Sequence, residues 1–248
     1  MRLTILGCAG SFPAPDSPCS CYLVEADGYR LLLDLGTGAL GNLQQHIGLD
    51  EVDAVLLSHL HADHCLDLCG YYVVRTYHPD GPLPRIPVYG PAGTADRMAR
   101  AYDLPLDPGM RKVFDFRTLV PGGFELGPFM IRADHVNHPV EAFAFRVEYG
   151  GRSLVYSGDT GESDALVRLA SRADLMLCEA SFQDGRDTAR DLHLNGREAG
   201  EHAARAGVGR LVLTHIPAWT DAGQNLADAQ AVYAGPVDLA RAHAVYEL

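Results

Sequence analysis

The chain has 248 residues, of which 47% are hydrophobic and 21% are charged, and this composition excludes a disordered or fibrous protein. The 32 acidic residues outnumber the 20 basic residues, which gives a net charge of −12 and disfavours long nucleic acids as partners. No stretch approaches the roughly 18 consecutive apolar residues of a membrane-spanning helix, and we find no export signal. We therefore expect a single cytoplasmic domain over residues 1–248 with no membrane contact. In that compartment the six cysteines are expected to be reduced thiols.

Short apolar runs alternate with longer amphipathic stretches along the chain. The runs predict strands over residues 2–6, 22–26, 30–35, 54–57, 86–89, 129–133, 143–147, 154–156, 175–178, 211–213 and 240–246. The amphipathic stretches predict helices over residues 39–47, 66–77, 93–102, 164–170, 196–206 and 226–233. Asn195 and Glu198 have the spacing of a capping box at the start of the fifth helix. This alternation predicts an α/β protein in which two sheets pack together with helices outside.

A dense group of metal-binding residue types follows the predicted strand at 54–57. Residues 58–64 read SHLHADH, which places His59, His61, Asp63 and His64 within six residues. A tight loop directly after a buried strand can turn all four side chains inward. The segment therefore predicts a metal site.

Three further metal-binding candidates lie next to other predicted strands, namely His138, Asp159 and His215. One metal is satisfied by three or four ligands, so seven candidates predict two metals. Asp159 follows the predicted strand at 154–156, where its carboxylate is able to bridge both ions. A nitrogen and oxygen ligand set suits Zn²⁺, our first choice, and also Mn²⁺ or Fe.

Two neighbouring residues are alternative ligands. His135 competes with His138, but we prefer His138 because it lies nearer the strand that would fix its position. Cys65 follows His64 directly, and a thiolate binds zinc strongly. We expect Cys65 to pack as a small apolar side chain beneath the loop instead.

His193 is the best candidate for a general acid. It lies two residues before Asn195, and the N-terminus of a helix favours anionic oxygens. Glu179 follows the predicted strand at 175–178 and is able to accept a hydrogen bond that holds the proton-donating tautomer of His193. We predict His193, Glu179 and Asp63 as catalytic side chains, with Asp63 also a metal ligand. The alternative is that His193 and Glu179 are ordinary surface residues.

The order of these motifs resembles the metallo-β-lactamase fold across residues 3–247, which implies a four-layer αβ/βα sandwich with two mixed sheets. Within that superfamily, residues 179–182 (EASF) and 193–200 (HLNGREAG) resemble the phosphodiesterase branch, which includes the tRNA 3′-processing endonucleases (ribonuclease Z). The resemblance implies that Asp34 supports the metal loop. It also implies one metal on His59, His61 and His138, a second on Asp63, His64 and His215, and Asp159 bridging them.

A narrower resemblance is carried by SHLHADHCLDL, YSGDTG, LCEASF, DLHLNGREAG and LTHIPAWT. These segments are similar to the actinobacterial atypical class II cyclic-nucleotide phosphodiesterases. That similarity implies hydrolysis of 3′,5′-cyclic AMP to 5′-AMP by a hydroxide held at the metals, with His193 protonating the 3′-oxygen. Four aromatic side chains near the predicted loops are candidates for stacking on a purine: Phe12, Tyr77, Phe182 and Trp219.

Other functions stay open at this point. A tRNA endonuclease usually carries a long basic arm between the residues equivalent to His138 and Asp159, but here one hairpin around residues 150–151 fills that interval. A lactone or thioester hydrolase would have little use for Glu179 and His193. We expect a small phosphodiester as substrate, and the apolar residues 71–74 of a predicted helix suggest a homodimer.

Overall fold

Fourteen strands and seven helices make up the structure, a computed structural model that describes residues 1–248. The strands are β1 (Arg2–Gly7), β2 (Cys21–Ala26), β3 (Tyr29–Leu33), β4 (Ala54–Leu56), β5 (Ile86–Gly90), β6 (Phe114–Thr118), β7 (Gly122–Leu126), β8 (Phe129–His135), β9 (Phe143–Tyr149), β10 (Arg152–Tyr156), β11 (Leu175–Glu179), β12 (Leu211–Thr214), β13 (Val237–Leu239) and β14 (Val245–Glu247). The helices are α1 (Ala39–Leu43), α2 (Ala62–Cys65), α3 (Leu68–Thr76), α4 (Thr94–Ala101), α5 (Asp164–Leu169), α6 (Gly196–Ala206) and α7 (Ala222–Val232). None of these helices has the length and apolarity needed to span a bilayer.

The strands form two seven-stranded sheets, both of mixed direction. The first has the order β14-β1-β2-β3-β4-β5-β6, antiparallel from β14 to β3 and parallel from β3 to β6. The second has the order β13-β12-β11-β10-β9-β8-β7, parallel from β13 to β10 and antiparallel from β10 to β7. The prediction of two mixed sheets is therefore confirmed.

Three apolar clusters define the layers. One lies between the sheets and joins Tyr22 and Leu33 of the first sheet to Phe129 and Phe143 of the second. A second cluster packs α1, α3 and α4 on the first sheet, and a third packs α5, α6 and α7 on the second. Burial of each large side chain contributes roughly 1.5–3 kcal/mol. The predicted four-layer αβ/βα sandwich is confirmed.

Parallel pairing brings the ends of several strands to one edge of the sandwich. β3 and β4 are parallel, with Leu33 opposite Leu56, and β10, β11 and β12 are parallel in the other sheet. In sheets of this kind, ligands bind beyond the carboxyl ends of the strands. The residues that follow β3, β4, β10 and β12 therefore meet in one place.

Helix α6 is confirmed with its predicted bounds and cap. The Asn195 side chain accepts from the Glu198 N–H, and the Glu198 carboxylate accepts from the Asn195 N–H. The strand predicted at 240–246 is wrong. The chain forms β13 before this segment and β14 at its end, on different sheets, and His243 between them has a left-handed φ of 69°.

Other predicted bounds also need correction. The predicted helix at 66–77 begins two residues later as α3, because α2 already occupies the metal loop. The helix at 39–47 ends at Leu43. The helix predicted at 226–233 begins four residues earlier as α7, at Ala222, because the Asp221 side chain caps it. The edge strands β6 and β7 were not predicted, because they carry exposed polar residues and glycines.

The apolar residues behind the dimer prediction do not form one exposed face. Tyr71 lies fully buried in the cluster beneath the first sheet, whereas Val73 is 37% exposed. Tyr71 also donates its hydroxyl to the Leu49 carbonyl. The homodimer stays a prediction, with a smaller apolar surface than the sequence suggests.

Candidate metal centre

The structure brings all seven predicted metal ligands together at the strand ends. Their ligand atoms fall into two groups that share Asp159. The first group contains His59, His61, His138 and Asp159, and the second contains Asp63, His64, Asp159 and His215. This partition is the one that the family resemblance implies.

The first group forms around His61. Its Nδ1 atom lies 3.0 Å from His59 Nε2 and 3.2 Å from His138 Nε2. Asp159 Oδ2 lies 3.6 Å from His59 Nε2. A tetrahedral zinc ion with bonds of 2.0–2.1 Å places its ligand atoms about 3.3 Å apart, so these spacings fit one ion.

The second group is equally compact. His215 Nε2 lies 3.1 Å from His64 Nε2 and 3.0 Å from Asp63 Oδ2. Asp159 Oδ1 lies 3.1 Å from His64 Nε2. Burial alone would raise the pKa of Asp63, but His215 and His64 outweigh it and hold that pKa far below its usual range. The carboxylate is therefore an anionic ligand at neutral pH.

Asp159 gives the clearest sign that a cation belongs here. The residue is 2% exposed, and its Oδ1 atom is buried without a hydrogen-bond partner. A buried, unpartnered carboxylate oxygen is costly unless a cation compensates it. One oxygen of Asp159 lies in each group, so the residues fit two ions bridged by this carboxylate, with a donor set that suits Zn²⁺, Mn²⁺ or Fe.

The outer hydrogen bonds of the histidines leave the inward nitrogens free for metal. When Nδ1 donates its hydrogen to a neighbouring oxygen, Nε2 keeps a lone pair for the ion. Four of the five histidine ligands follow this rule, and the Nδ1 partners are Ser58 Oγ for His59, Asp34 Oδ2 for His64, the Leu192 carbonyl for His138 and Ser181 Oγ for His215.

Asp34 supports the metal loop, as the resemblance implies. Its carboxylate accepts from the Ser58 N–H at 2.6 Å, from the Ser58 hydroxyl, from His64 and from the Tyr156 hydroxyl. Asp34 itself has a left-handed φ of 58°, a conformation rare for residues other than glycine. The strain turns its carboxylate from the end of β3 towards the loop after β4.

Ser11 contributes to the site although its residue type gave no sign of this role in the sequence. Its backbone N–H donates to Asp63 Oδ2 at 2.9 Å, and Ser11 also has a left-handed φ, of 61°. A backbone donor leaves no mark in a sequence, so no signal pointed to it. The Ser181 hydroxyl oxygen accepts a hydrogen bond from His215 Nδ1 at 2.7 Å. This residue could have been found from the sequence, because it is the third residue of the EASF segment.

His193 and Glu179 form a pair beside the metal ligands. His193 Nδ1 donates to Glu179 Oε1 at 2.9 Å, and Glu179 also accepts from the backbone N–H groups of Thr160 and Ser181. Glu179 is fully buried. Burial lowers the pKa of His193, but the adjacent Glu179 charge and hydrogen bond outweigh it and raise that pKa to about 9. His193 thus carries a proton at neutral pH.

The two alternative ligands, His135 and Cys65, lie outside the ligand groups. His135 ends β8 and stacks on Phe143 with ring centroids 4.4 Å apart. Cys65 donates its thiol to the His61 carbonyl, and burial raises the pKa of this thiol to about 12. The preferences for His138 over His135 and for Cys65 as a packing residue agree with this geometry.

Chelation of the metals is expected to lower the melting temperature by roughly 10 °C, which matches ions present at about 1,000 times their dissociation constants. The candidate ligands come from four separate chain segments, so only the folded protein holds the ions. Differential scanning fluorimetry with and without a chelator, followed by added Zn²⁺, measures the shift. Cys65→Ser is the control and should keep it. Equal melting temperatures would contradict a structural contribution of the ions.

Comparisons with known proteins agree with this geometry. The model of the β-lactamase superfamily domain matches residues 29–216. Ribonuclease Z of Mycolicibacterium paratuberculosis is 34% identical over 273 residues, covering 96% of this chain and 95% of that protein. "Probable metallo-hydrolase YhfI" of Bacillus subtilis is 31% identical over 255 residues and covers 100% of both chains. The YhfI crystal structure has a TM-score of 0.89 at 29% identity and covers 99% of both chains.

Proposed function

The chain belongs to the β-lactamase superfamily, in which it is a metal-dependent hydrolase, and from that premise we propose that it hydrolyses 3′,5′-cyclic nucleotides, with cyclic AMP opened to 5′-AMP. The observation that carries the proposal is the His193–Glu179 pair beside the two ligand groups. Opening a cyclic phosphodiester releases an alkoxide at the 3′-oxygen, which needs a proton. A fixed, protonated imidazole supplies that proton.

The residues divide the chemistry between them. The two ligand groups would hold two divalent ions, with Zn²⁺ as our first choice, and such ions would lower the pKa of a bound water and offset charge on the phosphoryl oxygens. Glu179 holds the Nδ1 hydrogen of His193, so Nε2 is the atom that gives its proton to the 3′-oxygen. Ser11 and His215 fix the position of Asp63. The Asp63 carboxylate in turn orients the reacting phosphate group beside that proton donor.

Charge and loop length favour a small substrate. The net charge of −12 repels a long polyanion, while cations inside a cleft still attract a singly charged phosphodiester over short distances. Between His138 and Asp159 the chain forms β9 and β10, joined at residues 150–151. This hairpin leaves no room for a basic arm that grips tRNA.

Turnover of cyclic AMP by the metal-loaded protein tests the proposal. The reaction is followed by chromatography, which separates 5′-AMP from 3′-AMP, and we expect the 5′ product alone. Cyclic GMP and a lactone serve as comparison substrates. The proposal is wrong if no cyclic nucleotide is hydrolysed under conditions in which two ions are bound.

Glu179→Gln is expected to move the alkaline limb of the kcat/KM profile to lower pH. With Glu179 the pKa of His193 is about 9, so the acid is protonated at pH 8 and loses its proton as the pH rises further. Without the Glu179 charge, burial lowers this pKa towards or below the ordinary value for histidine, and the rate at pH 8 falls about 10-fold or more. Profiles from pH 5 to pH 10 measure the shift, with Glu148→Gln on β9 as control. If the alkaline limb does not move, a group other than His193 donates the proton to the 3′-oxygen.

Cleavage of precursor tRNA is the second candidate, because ribonuclease Z is among the proteins similar to this chain. A nuclease of that kind binds phosphates along the RNA, so its activity falls steeply with salt. Precursor tRNA and cyclic AMP are assayed with the same preparation at two salt concentrations. A higher kcat/KM for precursor tRNA would replace the cyclic-nucleotide proposal.

A further inference from the structure

We infer that Phe12 and Trp219 form the surface on which the purine base of the substrate stacks. The inference rests on the proposed function and extends it, because it names the residues that would select the base. The two rings are 4.5 Å apart between centroids, with planes inclined by 45°. They come from different loops, one next to Ser11, which contacts Asp63, and one that follows His215.

The loop that carries Phe12 is attached directly to the metal centre. Ser11 donates its N–H to Asp63 Oδ2 at 2.9 Å and approaches His215 Nε2 at 3.4 Å. Phe12 is the next residue, and its own N–H bonds back to the Gly10 carbonyl. The tight, left-handed turn at Ser11 thus fixes the Phe12 ring within one residue of a ligand contact.

The loop that carries Trp219 is fixed just as firmly. It begins after His215, and the Thr220 N–H closes a turn on the Pro217 carbonyl. Thr220 is buried, and its hydroxyl donates to the Ser181 carbonyl. Arg186 donates to the Trp219 carbonyl and to the Thr220 hydroxyl. The backbone at Trp219 is therefore held in place, and its ring packs against Phe12 while remaining largely exposed.

The indole ring of Trp219 is accessible to a ligand. Trp219 is 67% exposed, although it is the sole tryptophan of the chain, and a rigidly mounted, exposed aromatic ring is a suitable surface for a nucleobase. Because both loops adjoin the ligand group of Asp63 and His215, a cyclic nucleotide whose phosphate binds there would present its base to these two rings. The ligand chemistry is that of an adenine or guanine ring, since a purine offers the larger face for stacking.

The other two aromatic candidates have different positions. Phe182 packs edge-on against His193, with centroids 5.1 Å apart, so it positions the proton donor. Tyr77 is 71% exposed but lies beyond the far end of α3, about 13 Å along the helix from the metal loop. A cavity of about 700 Å³ has none of the seven predicted metal ligands in its lining.

Fluorescence of Trp219 tests the inference without turnover. The sole tryptophan reports directly on any ring that stacks against it. Metal-loaded protein is titrated with 5′-AMP, and ribose 5-phosphate is the control without a base. We expect saturable quenching by 5′-AMP alone. No quenching by 5′-AMP, or equal quenching by both compounds, would overturn the inference even if cyclic AMP is never turned over.

Kinetics of variants provide the second test. Trp219→Ala and Phe12→Ala are expected to raise the KM for cyclic AMP by about 10-fold with little change in kcat, whereas Tyr77→Ala should match the wild type. The baseless substrate 1-deoxyribose 3′,5′-cyclic phosphate should be hydrolysed equally by all four proteins. If wild type hydrolyses cyclic AMP and both loop variants keep its KM, the stacking surface is wrong while the proposed function stands.

Discussion

His193→Ala is expected to lower kcat for cyclic AMP by about 10²- to 10⁴-fold, the range typical of a lost general acid. His193 Nδ1 is held by Glu179 at 2.9 Å, and its pKa is raised to about 9. The protonated ring is therefore present at neutral pH before substrate binds. Removing it leaves the 3′-oxygen to depart without a proton, which raises the barrier of the step that breaks the P–O bond.

The same substitution should leave metal binding and folding nearly unchanged. His193 belongs to neither of the two ligand groups that share Asp159. Glu179, which loses its imidazole partner, still accepts from the backbone N–H groups of Thr160 and Ser181. Metal content by plasma emission spectroscopy and the melting temperature check these expectations.

The leaving group separates proton donation from a general loss of activity. 4-Nitrophenolate departs without protonation, so bis(4-nitrophenyl) phosphate should lose far less of its rate than cyclic AMP when His193 is replaced. His135→Ala is the matched control, because His135 lies outside the ligand groups and stacks on Phe143. Equal losses on both substrates would show that His193 holds the substrate or the ions rather than donating a proton.

The clustering of the seven candidate metal ligands was predictable from the sequence because each follows or lies near an apolar strand. His59 and His61 share a loop after β4, Asp159 follows β10, and His215 follows β12. Parallel neighbouring strands end at one edge of a sheet. A metal-binding residue type that follows a predicted strand is therefore expected at that edge. The capping box at Asn195 was equally predictable, because Asn195 and Glu198 interact within four residues.

The contacts that orient the ligands were not predictable in the same way. Ser11 reaches Asp63 across 52 positions of the chain, and Tyr156 reaches Asp34 across 122 positions. Such contacts depend on how two sheets are packed, which local periodicity does not report. The split of the C-terminal segment into β13 and β14 has the same cause, because the two halves pair with different sheets.

Asp159→Asn is expected to leave at most one bound ion per chain and to lower kcat for cyclic AMP by about 10³-fold or more. In the wild type, Oδ2 of Asp159 lies near His59 and Oδ1 near His64 and His215. An amide keeps one oxygen, which serves one group, and its NH₂ is not a ligand for the other. Both the metal content and the rate should therefore fall.

Stability distinguishes this loss from simple unfolding. Without metal, the neighbouring histidines outweigh burial and hold the pKa of Asp159 well below its usual range, so a neutral amide should make the metal-free Asp159→Asn protein moderately less stable than metal-free wild type. Added Zn²⁺ should then raise the melting temperature of the variant less than that of the wild type. Asp164→Asn, at an exposed carboxylate paired with Arg205, should keep both ions and full activity. If Asp159→Asn binds two ions and turns over cyclic AMP normally, the mechanism does not need a bridging carboxylate, because a single oxygen is then sufficient.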